Sequence, residues 1–147
     1  MRRILTLVFL MSVIMNAFAQ QNDDENAIIQ VLEKESRTWR SGDIKGHAEC
    51  WVIRPYGKIL ISTGDGNVLD IPVEMIVNPT PEMVGQGGTS KNTDYQMSVQ
   101  GNSAWVSHEE ESISADGVST FSSEIRMLEK VEGQWKLVGQ SIHIKKG

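Results

Sequence analysis

The chain has 147 residues and carries 19 Asp and Glu against 14 Lys and Arg, a formal net charge of −5. That length suits one domain, and the acidic balance argues against a nucleic-acid partner, which needs a basic face. Cys50 is the only cysteine, so an internal disulfide is excluded and a packed core must supply the stability.

The first nineteen residues read as a secretory signal peptide. Arg2 and Arg3 follow Met1, and an apolar run extends from Ile4 to Met15. Ala17-Phe18-Ala19 then places small residues at the −3 and −1 positions of a cut before Gln20. The run is shorter than the roughly 20 residues of a spanning helix. Residues 1–19 are therefore expected to be removed, and residues 20–147 to form the exported, periplasmic or secreted domain. No stable membrane anchor is expected after cleavage. Losing Arg2 and Arg3 and no acid takes the net charge from −5 to about −7.

Gln20 to Glu25 is polar and reads as a frayed leader with capping residues Asn22, Asp23 and Asp24. Ile28, Val31, Leu32 and Trp39 recur at helical spacing, so a helix is expected from about Glu25 to Arg40. Ser41-Gly42-Asp43 ends it, and Asp43 can cap a short second helix with Ile44, Ala48 and Trp51 on one face and His47 at its edge. From Lys58 the period changes to two. Lys58 to Thr63 reads as a strand, Gly64-Asp65-Gly66-Asn67 as a hairpin turn, and Val68 to Val77 as more strand or a short helix. Gly85 to Lys91 reads as a loop. Four strands follow, at Thr93–Gln100, Ser103–Ser114, Ser119–Val131 and Gln134–Lys145. Gly101-Asn102, Ala115-Asp116-Gly117 and Glu132-Gly133 supply the turns between them.

Helices first and a long antiparallel meander afterwards indicate an α+β fold. If Glu132-Gly133 is a two-residue turn, Leu128 lies opposite Leu137 and Met127 opposite Val138. One face then collects Phe121, Ile125, Met127, Val138, Ile142 and Ile144. The other collects Ser122, Glu124, Arg126, Leu128, Trp135, Leu137, Ser141 and His143.

Three stretches carry a resemblance to a known family. The first runs from the opening helix through Gly42-Asp43 to Glu49-Cys50-Trp51-Val52 and Pro55-Tyr56. The second is Gly101-Asn102-Ser103-Ala104-Trp105-Val106. The third runs from Arg126 through Gly133-Gln134-Trp135 to Val138 and closes with Ser141-Ile142-His143. In this order they resemble secreted SnoaL-like members of the NTF2-like superfamily. The resemblance implies a cone: a strongly curved antiparallel sheet packed over the N-terminal helices and open at one end. It also implies a homodimer through the outer sheet face. Some members of that superfamily are isomerases, hydrolases or cyclases, and many others only bind ligands.

No catalytic set of those enzymes can be placed on this chain. The ketosteroid isomerase pattern pairs a carboxylate base with a tyrosine, and neither Tyr56 nor Tyr95 falls at a matching motif. The candidates that remain are ligand-pocket residues: Glu35, Trp39, Arg126 and His143. Glu35 follows Ile28 by seven residues and precedes Trp39 by four, which puts a carboxylate on the apolar helix face. Arg126 can hold an anionic ligand group, pair with Glu124, or neutralise Glu35. No metal site is expected, because His47, His108 and His143 lie in separate elements without ligand spacing. No cofactor is implied: Gly85-Gln86-Gly87-Gly88 lacks the Lys-Ser/Thr of a phosphate loop. Glu109-Glu110-Glu111 reads as a solvated strand end. The leading expectation is a module that binds a small, partly apolar ligand without catalysis. An enzyme using Glu35 or His143 as base is the second reading, and a structural dimer with a filled cone is the third.

Overall fold

The computed structural model describes the backbone over residues 2–146 and side chains from Gln20 onward. The segment read as a leader, residues 1–19, lies outside the described side chains. Among the described residues no helix is long and apolar enough to cross a membrane.

Helix α1 is assigned over Arg2–Ser41, followed by α2 at Ile44–Ala48. Strands β1 (Ile59–Ser62) and β2 (Val68–Ile71) form a hairpin, and α3 (Val73–Val77) follows at once. Four long strands complete the chain: β3 (Thr89–Gln100), β4 (Ser103–Ile113), β5 (Ser119–Val131) and β6 (Gln134–Ile144). They form one curved, unclosed six-stranded sheet in the order β2-β1-β6-β5-β4-β3, and the helices pack on its inner face.

Gln20–Glu25, expected as a frayed leader, is helical. Asp24 does not cap. It is buried, pairs with Lys130, and accepts a hydrogen bond from Trp135 Nε1 at 3.0 Å. This tethers α1 to the β5–β6 hairpin. The helix stops where the sequence says it should. Gly42 takes φ +73°, Gly42 N–H donates to Trp39 O at 3.2 Å, and Asp43 N–H donates to Thr38 O at 2.9 Å. This is a Schellman ending, which glycine favours because it has no Cβ. The Asp43 carboxylate then accepts from Gly46 N–H at 2.9 Å and starts α2.

Two sheet expectations need correction. The sheet is mixed, because β1 runs parallel to β6 while every other pairing is antiparallel. β3 also starts at Thr89, inside the stretch read as a loop. Thr89–Thr93 is polar and shows no period, yet its backbone pairs with β4 from Thr89↔Ile113 onward. The register slips between Thr93 and Gln96, where Asp94 takes φ +57°. Pro72 divides the Val68–Val77 stretch into β2 and α3.

The inner face grades from apolar to polar along the strands. Ala104, Leu128 and Leu137 form one row; Val106, Arg126 and Gln140 the next; His108, Glu124 and Ile142 a third; Glu110, Ser122 and Ile144 a fourth. Ile28, Leu32, Cys50, Trp51 and Ile59 pack on the apolar end. Each large side chain buried there contributes roughly 1.5–3 kcal/mol. The outer face keeps Trp105, Phe121, Ile125 and Met127 exposed.

The Glu132-Gly133 turn sits as expected, with both residues at positive φ, and Leu128 pairs with Leu137. Beyond it the expected register fails by one. Met127 pairs with Gly139, not Val138, so Val138 is an extra residue in β6. At Gly139 the sheet is tight: a Cβ there would lie 2.8 Å from Lys58 O and 2.6 Å from Met127 Cε. We expect Gly139→Ala to lower unfolding stability by about 1–3 kcal/mol, read as an earlier urea midpoint, because the β1 backbone cannot yield.

Candidate functional site

Between α1 and the polar end of the inner face lies a cavity of about 330 Å³. Glu35 and Trp39 enter it from consecutive turns of α1, on the stripe that begins at Ile28 and Leu32. Ile61 of β1, Ile76 of α3, and Ile142 and Ile144 of β6 give apolar walls. Glu110, Glu124, Arg126 and Gln140 supply the polar surface.

The charges are arranged in pairs. Arg126 Nη2 donates to Glu124 Oε2, and Ser122 Oγ donates to Glu124 Oε1 at 2.8 Å. Arg40 pairs with Glu110, whose other oxygen accepts from Ser36 Oγ at 2.9 Å. Glu35 stands apart. Its Oε2 is 3.8 Å from Arg126 Nη1, and its Oε1 is 3.8 Å from His47 Nδ1. Both distances exceed hydrogen-bond length. Behind Glu124 lies His108, with Nε2 at 3.6 Å from Glu124 Oε2 and its ring stacked on Tyr95.

These surroundings set the protonation states. Burial pushes the Glu35 carboxyl above its ordinary value, and the nearby Arg126 and His47 only partly oppose it. Burial also pushes Glu124 up, but Arg126, His108 and Ser122 outweigh it and hold that carboxyl below its ordinary value. Burial and Arg126 lower His108, which favours the neutral ring. Among the described residues, several buried polar atoms have no hydrogen-bond partner, including Arg126 Nε and Nη1, Gln140 Oε1, and both ring nitrogens of His108.

No protein-family model matches the sequence, and no curated protein is significantly similar to it. Solved structures are similar. An NTF2-like protein with a cystatin-like fold from Novosphingobium aromaticivorans superposes with a TM-score of 0.68 at 13% identity, over 90% of this chain and 89% of its own. This chain has the NTF2-like fold. An NTF2-like protein of unknown function from Shewanella baltica gives a TM-score of 0.59 at 16% identity, over 85% of this chain and 96% of that one. A Streptomyces avermitilis protein, provisionally assigned as a dehydratase of the NTF2-like family, gives 0.66 at 16% identity, over 86% and 99%. At such identities the likeness concerns the fold and leaves the chemistry to the site.

Inside this NTF2-like cone the structure brings together Glu35, Trp39 and Arg126. It does not bring His143. That side chain is exposed on the outer face, paired with Ser123, and its Nε2 lies 3.0 Å from Ser141 Oγ. The cause is Val138: the extra residue inverts every later position of β6, so Gln140, Ile142 and Ile144 turn inward and Ser141 and His143 outward. Glu110 is a second correction, buried against Arg40 and not solvated. Strand alternation carries the signal for it, since Ala104, Val106 and His108 precede it on the same face. His47, expected at a helix edge, is fully buried between Trp39 and Trp51. Gln140 carried no sequence signal, because its facing depends on the bulge. Among the described residues no group of three or more His, Cys, Asp or Glu is placed to hold a metal.

The raised Glu35 makes stability depend on pH. The folded state holds its proton more tightly than the unfolded chain, whose carboxyl titrates near 4.5. The stabilising contribution is therefore complete below about 4.5 and is lost as pH rises through the folded value. We expect Glu35→Gln to stabilise the protein at pH 8 by about 1–3 kcal/mol and to change little at pH 4. Urea midpoints of both proteins across that range check this.

Proposed function

We propose that this protein is an exported, SnoaL-like binding module that holds one small, partly apolar molecule in its cone without changing it. The composition of the cavity carries this reading. Isoleucine and tryptophan walls face a buried polar surface on which, among the described residues, Arg126 Nε and Nη1 and Gln140 Oε1 lack hydrogen-bond partners. A few polar groups set among apolar walls are the usual make-up of a small-molecule site, and 330 Å³ is at the small end of the usual range. The reading requires no cofactor.

Mass spectrometry of the protein purified from the periplasm tests it. A small molecule should co-purify, and Ile142→Trp, which fills the cavity, should lose it while the far-ultraviolet circular dichroism stays unchanged. A species that co-purifies equally well with the filled variant overturns the reading. The same spectrum reports the N-terminus, and export with cleavage predicts a mature chain beginning at Gln20.

One observation favours catalysis as a second reading. Glu35 is a buried carboxyl with a raised pKa beside a guanidinium, the kind of group that can serve as an acid or base. An isomerase, hydrolase, cyclase or dehydratase would use it as acid or base. Under that reading Glu35→Gln keeps binding and loses turnover.

We extend the proposal to assembly. Trp105 and Phe121, about half exposed, share the outer face with Ile125 and Met127, and a second copy of this chain would cover them. Trp105→Lys should then shift sedimentation from dimer to monomer. A monomeric native protein overturns the extension.

A further inference from the structure

The charged side chains lining the cavity do not balance: three carboxyls, Glu35, Glu110 and Glu124, face two guanidiniums, Arg40 and Arg126. Each guanidinium already has its own carboxylate, in the pairs Arg40–Glu110 and Arg126–Glu124. Glu35 is the surplus acid. Among the described residues no side chain donates a hydrogen bond to its carboxyl, and the nearest basic nitrogens, Arg126 Nη1 and His47 Nδ1, are both 3.8 Å away. A second acceptor lies in the same cavity: Gln140 is 5% exposed and its Oε1 has no donor.

We propose that the cavity selects an organic amine, whose ammonium group is received by the Glu35 carboxylate and Gln140 Oε1 while its apolar body lies against Trp39 and Ile142. The inference rests on the reading of this cavity as a ligand site and names the ligand class. Electrostatics disfavour an anion and favour the opposite charge beside Glu35. An ammonium beside ionised Glu35 brings the cavity to three negative and three positive charges. A carboxylate ligand would find donors on Arg126 but would leave one negative charge buried without a counter-ion, even with Glu35 protonated. Unbalanced buried charge is among the costliest arrangements in a protein. Ionising Glu35 also gives Arg126 Nη1 a charged acceptor that it lacks in the free protein.

Binding is then coupled to proton release. The alkylammonium arrives charged, while burial in the free protein favours the protonated form of the Glu35 carboxyl. Forming the ammonium–carboxylate pair reverses that preference, so binding is linked to release of up to one proton per ligand. The groups facing Glu35 are Arg126 and Glu124 from β5, Glu110 from β4, and His47 from α2. Affinity therefore rises with pH until the amine itself loses its charge.

Titration calorimetry on the native protein tests this with three probes of one shape: cyclohexylmethylamine, cyclohexylmethanol and cyclohexanecarboxylate, at pH 7 in two buffers of different ionisation enthalpy. The amine should bind about tenfold or more tighter than either other probe, the effect of about one pKa unit of differential interaction. The heats in the two buffers should differ, reporting release of up to one proton. Glu35→Gln should abolish the release and bring the amine close to the alcohol. If the alcohol or the carboxylate binds native protein as tightly as the amine, the amine inference is overturned and the ligand cavity stands. Amine binding without proton release overturns the role given to Glu35. If none of the probes binds, the cavity reading fails and the inference fails with it.

Discussion

The polar end of this sheet's inner face is built from buried ion pairs, one within β5 and one between β4 and α1. Arg126 and Glu124 occupy successive inner-face positions of β5, and Glu110 reaches the same interior from β4 to meet Arg40 on α1. The Arg40–Glu110 pair, with Ser36, ties α1 to β4, and the Arg126–Glu124 pair fixes the charges within β5. Removing one member of such a buried pair strands its partner and typically costs about 3–5 kcal/mol. A well-packed apolar substitute can be as stable as the pair, so stability alone does not explain the arrangement. The charges leave a polar interior that the apolar end of the same sheet does not have.

One inserted residue gives that interior its shape. Without Val138 the alternation of β6 would continue from Leu137, and Ser141 and His143 would face α1. With it, Gln140, Ile142 and Ile144 face inward, which makes one wall apolar and adds a single amide. The close approach of Gly139 to Lys58 sits beside the insertion and lets the short β1 strand add in parallel to β6. The cavity wall formed by Ile61 depends on that addition.

Much of this was legible in the sequence, for local reasons. Helical spacing placed Ile28, Leu32, Glu35 and Trp39 on one stripe, and Gly42-Asp43 marked the break between helices. The turn at Glu132-Gly133 set the pairing of Leu128 with Leu137. What escaped reading was non-local. A bulge is one residue in a strand whose composition on both faces is apolar, so period two gives no sign of the slip. Glu110 sits in a run of three acids, and only its in-step position with Val106 and His108 separates it from its neighbours. The β3 ladder at Thr89–Thr93 has no apolar alternation, since it is held by backbone pairing to β4 and by polar contacts of Ser90 and Asn92 with α1. The resemblance to the NTF2-like superfamily supplied the cone, and the geometry of the cone supplied no chemistry.

The irregularity in β3 has a consequence for the molecule's behaviour at high concentration. β3 is the last strand of an open sheet, and its 12 residues expose a row of unpaired peptide groups. A flat, apolar strand there would recruit other chains into fibrils. Asp94 breaks the ladder with positive φ, and Lys91 adds a charge three residues earlier, so the rim is kinked and hydrophilic where an incoming strand would have to lie straight. The protein can keep an open-mouthed sheet without becoming a template for its own aggregation.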